Sequence, residues 1–212
     1  MPFTTVAAEF LTTATRRAEW PVEPLPEVAF VGRSNVGKSS MLNALAERGR
    51  LARVSATPGR TRALQFFRVL RQPSASARPR PLRFCDLPGY GFAHVSREER
   101  ARWAEMIEEY LRERADLVAV VLIVDARHEP PESDRQALAF LAGQGRRVLV
   151  AATKIDKLVT SRRRAAVRAV ARGLGLPEED VVPFSAVEGA GTGELWKRIG
   201  ALLGAARSRS EP

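Results

Sequence analysis

One short stretch carries the clearest chemistry in the chain. Gly32-Arg33-Ser34-Asn35-Val36-Gly37-Lys38-Ser39 has the form GxxxxGK[ST] and directly follows the apolar run Val28–Val31. Gly32 and Gly37 allow the backbone to turn and to approach a ligand with no Cβ in the way. The N–H groups from about Asn35 to Ser39 would point into one concavity at a helix N-terminus, where the helix dipole favours an anion. Lys38 supplies a compact, mobile cation for β- and γ-phosphates, and Ser39 a hydroxyl for Mg²⁺. A strand, this turn and a helix in succession form the context that gives the pattern its meaning as a phosphate-binding turn.

Three further groups could complete such a site. Asp86-Leu87-Pro88-Gly89 follows the apolar run Leu82–Cys85. A carboxylate there can hold a water on Mg²⁺, and Gly89 lets a backbone N–H reach the γ-phosphate. Thr61 lies in a polar loop containing Thr57-Pro58-Gly59, where its hydroxyl could join the Mg²⁺ shell when the γ-phosphate is present. A loop ordered only by the triphosphate is a switch. Thr153-Lys154-Ile155-Asp156 follows the run Val148–Ala152. Its carboxylate, Asp156, can accept parallel hydrogen bonds from guanine N1–H and the 2-amino group, a pattern adenine lacks. The methylene stem of Lys154 can lie along the base. Ser185-Ala186, after Phe184, can offer a backbone N–H to guanine O6.

These residues need elements that hold them. Apolar runs alternate with helical patterns, which predicts a mainly parallel α/β sheet. Strands are expected at Val28–Val31, Leu64–Leu70, Leu82–Cys85, Leu117–Val124, Val148–Ala152 and Val181–Phe184. Helices are expected at about 37–47, from Ser96 to about Arg114, at Ser133–Ala142, at Arg162–Arg172 ending near Gly173, and at Glu194–Ala206. The segment Gln72–Pro81 is too short for a crossover helix, so the strands on either side should form an antiparallel hairpin. Residues 1–24 are taken as an N-terminal extension, 25–206 as the domain and 207–212 as a flexible tail.

Composition excludes several classes. The chain has 212 residues, 45% hydrophobic and 27% charged, as in a globular protein. A single cysteine, Cys85, rules out a disulfide framework or a Cys-rich zinc site. The longest apolar run, Leu117–Val124, is far too short to span a bilayer. The N-terminus places its arginines after its apolar part, the reverse of a secretory signal. A cytoplasmic protein with no membrane contact is therefore expected. The net charge is +10, and of 34 basic residues only Lys38, Lys154, Lys157 and Lys197 are lysines. That surplus suits a polyanionic partner such as RNA, or a surface kept basic for solubility.

Taken together, GRSNVGKSS, TPGRT, DLPGYG, TKID and FSA resemble the G1 to G5 motifs of the TRAFAC-class P-loop GTPases. DLPGYG followed by FAHVSREERARW, the DARHEP stretch and the preceding LPEVAFVGRSN resemble the EngB (YihA/YsxC) family over roughly residues 20 to 203. The resemblance implies a three-layer Ras-like domain with a mainly parallel six-stranded sheet and one antiparallel edge strand. It implies Mg²⁺-dependent hydrolysis of GTP to GDP by a switch acting in assembly of the large ribosomal subunit, with a link to septation in cell division. The partners implied are GTP or GDP and the large subunit with its RNA; DNA is not expected, and the chain should be a monomer. The GTP-binding segments implied are Gly32–Ser39, Gly59-Arg60-Thr61-Arg62-Ala63, Asp86–Gly89, Thr153–Asp156 and Phe184–Ala186. Ser39 and Thr61 fall on the family's Mg²⁺ ligands, with Asp86 acting through water.

Catalysis has to differ from that of GTPases that use a glutamine after DxxG, because Tyr90 occupies that place. Lys38, Asn35, Thr61 and Gly89 are the catalytic candidates, working by electrostatic positioning. In related GTPases an Asn at the position of Asn35 helps hold K⁺ beside the phosphates, so K⁺ is a second candidate cofactor, with slow turnover raised by K⁺ or a partner. His94 stands where the family suggests Lys. Arg164, Arg168 and Arg172 share a helix face and could contact ribosomal RNA, or could simply face solvent. Two rivals stay open: a non-catalytic GTP-dependent recruitment switch in cell division, and a P-loop kinase, against which the guanine motif argues.

Overall fold

The computed structural model describes residues 4–47, 51, 63–74, 76–90 and 97–207. Seven strands form one sheet. They are β1 (Thr4–Ala14), β2 (Glu27–Gly32), β3 (Leu64–Gln72), β4 (Arg80–Asp86), β5 (Leu117–Asp125), β6 (Val148–Thr153) and β7 (Val181–Pro183). Their order is β1-β3-β4-β2-β5-β6-β7. Strands β4, β2, β5, β6 and β7 run parallel, and β1 and β3 run antiparallel to their neighbours. Helices α1 (Lys38–Leu45), α2 (Arg97–Glu113), α3 (Glu132–Gly143), α4 (Thr160–Leu174) and α5 (Thr192–Arg207) cover the two faces.

The pleat of the central strands divides the core in two. Successive side chains of a strand point to opposite faces. Ala29 and Val31 of β2 pack with Met106, Leu111, Leu141 and Val170 of α2, α3 and α4. Val28 and Phe30 pack with Met41, Leu42, Leu195, Trp196 and Ile199 of α1 and α5. A strand buried on both faces reads as a continuous apolar run rather than an alternating one, as β2 and β5 do. This is the three-layer α/β architecture expected.

The sheet differs from expectation at one edge. A six-stranded sheet with one antiparallel edge strand is expected, but Thr4–Ala14, placed in an N-terminal extension, forms a seventh strand, β1, along the whole of β3. Two register shifts, between Thr5 and Ala7 and between Phe10 and Thr12, break its alternation. A bulge swaps the faces of the residues beyond it, so no steady period of two was legible. The edge is anchored by Phe10 edge-on to Phe67, by a hydrogen bond from the Thr5 hydroxyl to the Leu45 carbonyl, and by buried Ala14. The antiparallel β3–β4 hairpin around Gln72–Pro81 is as predicted.

Helix α4 also corrects the sequence reading. It does not stop near Gly173 but closes on Gly175, whose φ of 70° suits a left-handed cap. Gly173 has a different purpose: a Cβ there would stand 2.8 Å from Pro130 Cδ, so its absence lets α4 pack on the loop before α3. The start of α2 at Ser96 lies outside the described residues.

Candidate functional site

The C-terminal ends of the parallel strands converge on one side of the sheet. Strand β2 delivers the turn Arg33–Gly37 and then α1. Glycine is required at two places in it. A Cβ on Gly32 would come within 2.7 Å of the Ile123 carbonyl, and Gly37 has φ of 105°. Asn35 is also left-handed, with φ of 61°, a conformation Asn tolerates better than most residues. Buried Val36 nails the turn to the core, and its N–H bonds the Arg33 carbonyl at 3.2 Å. The Ser34 hydroxyl is buried in this turn with no hydrogen-bond partner. Ser39 follows Lys38 in the first turn of α1.

Strand β4 ends at Asp86, which is 2% exposed. The Lys38 ammonium donates to the Asp86 carboxylate and, at 2.8 Å, to the Leu87 carbonyl. Burial pushes the Asp86 carboxyl up from its ordinary value, and Lys38 works against that rise. Leu87 is pinned by its N–H to the Phe30 carbonyl of β2 at 3.0 Å. Pro88 and Gly89 follow, and then Tyr90, whose hydroxyl donates to Asp134 of α3 at 3.1 Å. That hydroxyl is thus committed to α3.

Strand β6 ends at Thr153, whose hydroxyl lies 2.6 Å from the Val36 carbonyl and 3.0 Å from the Val124 carbonyl. Thr153 therefore ties the phosphate-binding turn to the base-side loop. Lys154, left-handed with φ of 62°, donates its ammonium to the Asn35 carbonyl at 2.5 Å and to Asp125 at 2.9 Å. Its tip is thus held on the turn, which leaves its stem spanning the space between. Ile155 is buried, and its N–H reaches the Phe184 carbonyl at 3.4 Å. The Ser185 hydroxyl donates to Asp156 at 2.8 Å and accepts from the N–H groups of Val187 and Glu188. Burial opposes ionisation of Asp156, but the bond from Ser185 and the nearby Lys157 hold its carboxyl below the ordinary value. The Ser185 N–H is taken by the Ala190 carbonyl at 3.0 Å, so of the two N–H groups proposed for the base only Ala186's stands clear of that bond.

The structure thus gathers Gly32–Ser39, Asp86–Gly89, Thr153–Asp156 and Phe184–Ala186 at one end of the sheet. Gly59, Arg60, Thr61, Arg62 and His94 lie outside the described residues; Ala63, just before β3, is buried. Sequence reasoning missed Asp125. It stands at the end of β5, accepts from the Arg127 side chain and backbone and from Lys154, and its carboxyl is held well below the ordinary value despite the burial opposing that. The signal was present, since an acid ending a central strand beside the phosphate-binding turn matches the placing of Asp86. The basic face of α4 is less free than its spacing suggested: Glu178 pairs with both Arg164 and Arg168. Among the described residues, no group of three or more His, Cys, Asp or Glu side chains could hold a metal, and no helix is long and apolar enough to cross a membrane.

Comparison with known proteins agrees with this geometry. Residues 27–154 match the family described as "50S ribosome-binding GTPase". A probable GTP-binding protein EngB from Anaeromyxobacter sp. (strain Fw109-5) is 67% identical over 199 residues, covering 94% of this chain and 92% of the relative. The crystal structure of a probable GTP-binding protein EngB aligns with a TM-score of 0.62 at 25% identity, over 86% of this chain and 99% of that one. The structure of Era with MgGDPNP and nucleotides 1506–1542 of 16S ribosomal RNA aligns with a TM-score of 0.63 at 25% identity, over 82% of this chain and 55% of that one.

Proposed function

This chain belongs to the EngB family of P-loop GTPases, and from that premise we propose that it hydrolyses GTP to GDP and phosphate as a switch in assembly of the large ribosomal subunit. The observation that carries the nucleotide reading is the set of hydrogen bonds joining the phosphate side to the base side: Thr153 to Val36, and Lys154 to Asn35. These fix how far the base-recognition loop stands from the turn that takes the phosphates. The ribosomal part is supported by the description of the matched family and by the basic surplus of the sequence.

The residues fit a nucleoside triphosphate. The orphaned Ser34 hydroxyl and the Gly32 position that tolerates no Cβ are features of a backbone cradle. Lys38 is anchored at the floor of that cradle and can exchange its Asp86 contact for phosphate oxygens. Asp156, kept ionised, is suited to accept from guanine N1–H and the 2-amino group, and Ala186 N–H to donate to O6. Mg²⁺, when bound, neutralises charge on the β- and γ-phosphates. Ser39, Thr61 and, through water, Asp86 are the residues whose donors suit it, and one carboxylate with phosphates and water is this ion's usual set.

Tyr90, committed to Asp134, does not orient the attacking water. Charge developing on the phosphates is met instead by Lys38 and by N–H groups of the turn, already in place before the reaction. Asn35 is the candidate for a K⁺ beside them. Hydrolysis should then run faster in KCl than in NaCl, and Asn35→Ala should abolish the difference; equal rates for the unaltered protein in both salts would remove K⁺. Asp156→Asn should move preference from GTP towards XTP, because an amide suits a carbonyl at C2. Unchanged GTP affinity in a nucleotide titration of that variant would contradict the assignment of Asp156. Sedimentation with large ribosomal subunits in the GTP form but not the GDP form is the test of the switch.

A further inference from the structure

Two loops must keep a fixed spacing if one is to grip the guanine 2-amino group and the other O6. They are the loop after β6, with Asp156, and the loop after β7, with Ser185 and Ala186. A single guanidinium joins them. Arg163, in the first turn of α4, donates through Nε to the Leu158 carbonyl at 3.2 Å, just past the β6 loop. Its two terminal nitrogens donate to the two carboxylate oxygens of Glu188 at 2.6 and 2.7 Å. Such a two-pronged pair fixes direction as well as distance. Glu188 in turn gives its backbone N–H to the Ser185 hydroxyl at 3.0 Å, and that hydroxyl donates to Asp156.

The chain of contacts is therefore closed, from Arg163 through Glu188 and Ser185 to Asp156 and back through the Leu158 segment to α4. The pair is partly shielded, with side-chain exposures of 26% and 40%, so salt weakens it without abolishing it. It differs in this from the neighbouring Arg164 and Arg168, which meet Glu178 on the surface through single bonds and touch neither loop.

We propose that Arg163 and Glu188 are positioning residues for guanine discrimination, holding the Asp156 carboxylate and the Ala186 N–H at the spacing of the guanine edge. The proposal rests on the guanine-binding reading above. Neither residue touches the base; each acts through Ser185 and Asp156. A planar fork is needed, so lysine at position 163 would restore charge without the two-point geometry.

The test compares binding and release of GDP and IDP, which lacks the 2-amino group, in the full chain. In Arg163→Ala and in Glu188→Gln, GDP release should quicken by about three- to tenfold, while IDP release changes less, so the preference for GDP over IDP shrinks. Arg163→Lys should recover only part of it. The double variant should be no worse than Arg163→Ala alone, because Glu188 acts through that guanidinium. An unchanged GDP preference, an equal weakening of both nucleotides, or additive losses in the double variant would overturn the proposal. An unaltered protein that binds no guanine nucleotide overturns the underlying reading as well, whereas normal GDP binding with unaffected variants overturns this inference alone.

Discussion

Buried charge sits at both ends of this sheet, and the two ends treat it in opposite ways. At the N-terminal ends of β2 and β5, Glu27 and Arg83 are fully buried. Glu27 accepts from Arg83 at 2.9 Å, from the Arg114 guanidinium at 2.9 to 3.2 Å and from the Tyr110 hydroxyl. Arg83 and Arg114 also reach the carbonyls of Glu23 and Pro21, and Arg114 lies near the Trp20 and Phe66 rings. The charges there are matched to each other. At the C-terminal ends, Asp86 is raised by burial against a single lysine, Ser34 has no partner, and Asn35 and Lys154 hold left-handed backbones. Two left-handed non-glycine backbones and an unpartnered hydroxyl thus stand where a ligand is expected, and a dense ion cluster stands at the opposite end. The first end locks the N-terminal segment and α2 onto the sheet; the second keeps groups available for exchange.

This contrast can be broken by substitution. The largest effect is expected for Glu27→Ala, which leaves the buried guanidinium groups of Arg83 and Arg114 with only Asp116, 3.5 to 3.8 Å away, as a carboxylate partner. Urea unfolding should show a loss of about 3–5 kcal/mol, with guanine-nucleotide affinity of the folded fraction intact. An affinity loss in proportion would mean that the two ends are not separable. Lys38→Ala should strike affinity instead. Losing a charged donor costs about 1.5–3 kcal/mol, so nucleotide affinity should fall roughly ten- to a hundredfold by titration; the nucleotide-free protein should also unfold more readily at pH 7, because buried Asp86 loses its cation.

Asp86→Asn sharpens the comparison further. A carboxyl raised in the fold favours unfolding once the pH exceeds its unfolded value, because the ionised form prefers water. The asparagine variant should therefore be more stable than the unaltered, nucleotide-free protein at pH 7, by under about 2 kcal/mol. That advantage should shrink as the pH falls towards the ordinary aspartate value of about 4. Lower stability at pH 7, measured by unfolding across that range, would show that the Lys38 pair outweighs desolvation. The smallest stability change, under about 1 kcal/mol, is expected for charge reversal of Arg164, Arg168 and Arg172, since the pairs of Arg164 and Arg168 with Glu178 are exposed. If that face meets ribosomal RNA, the same variant should sediment less with large subunits at moderate salt; normal sedimentation would place the contact elsewhere.

Much of the site was legible because its chemistry is local. Gly32 to Ser39 and Thr153 to Asp156 each follow an apolar run, fully buried in β2 and buried over its last residues in β6, and a strand followed by a turn needs no distant information. Strand β1 was not legible. Its bulges scramble the alternation, and its reason for being a strand is the edge of β3, whose paired residues stand far off in the chain, from Ala14 with Leu64 to Thr4 with Gln72. Asp125 and Glu188 were missed for a related cause. Each acts on a partner brought close by the fold, Lys154 in one case and Arg163 in the other; the place of Asp125 at the end of a central strand marks it as a candidate, but nothing along the chain names its partner. Gly173 was misread as a stop because a glycine that ends a helix and one that admits a neighbour look alike in sequence.

The sequence by itself determined the order of strands and helices after β1, the phosphate-binding turn, the acid that closes β4 and the pair of loops suited to guanine. These depend on residue type and on spacing of a few positions, which the backbone converts directly into geometry. Only the tertiary structure decided which charges would meet. Glu178 draws off two arginines of the α4 face, and Tyr90 is committed to Asp134. Arg163 reaches across to Glu188 and closes the base-recognition loops. Charges interact through space and through the medium between them, and that distance is set by how the sheet folds rather than by separation along the chain.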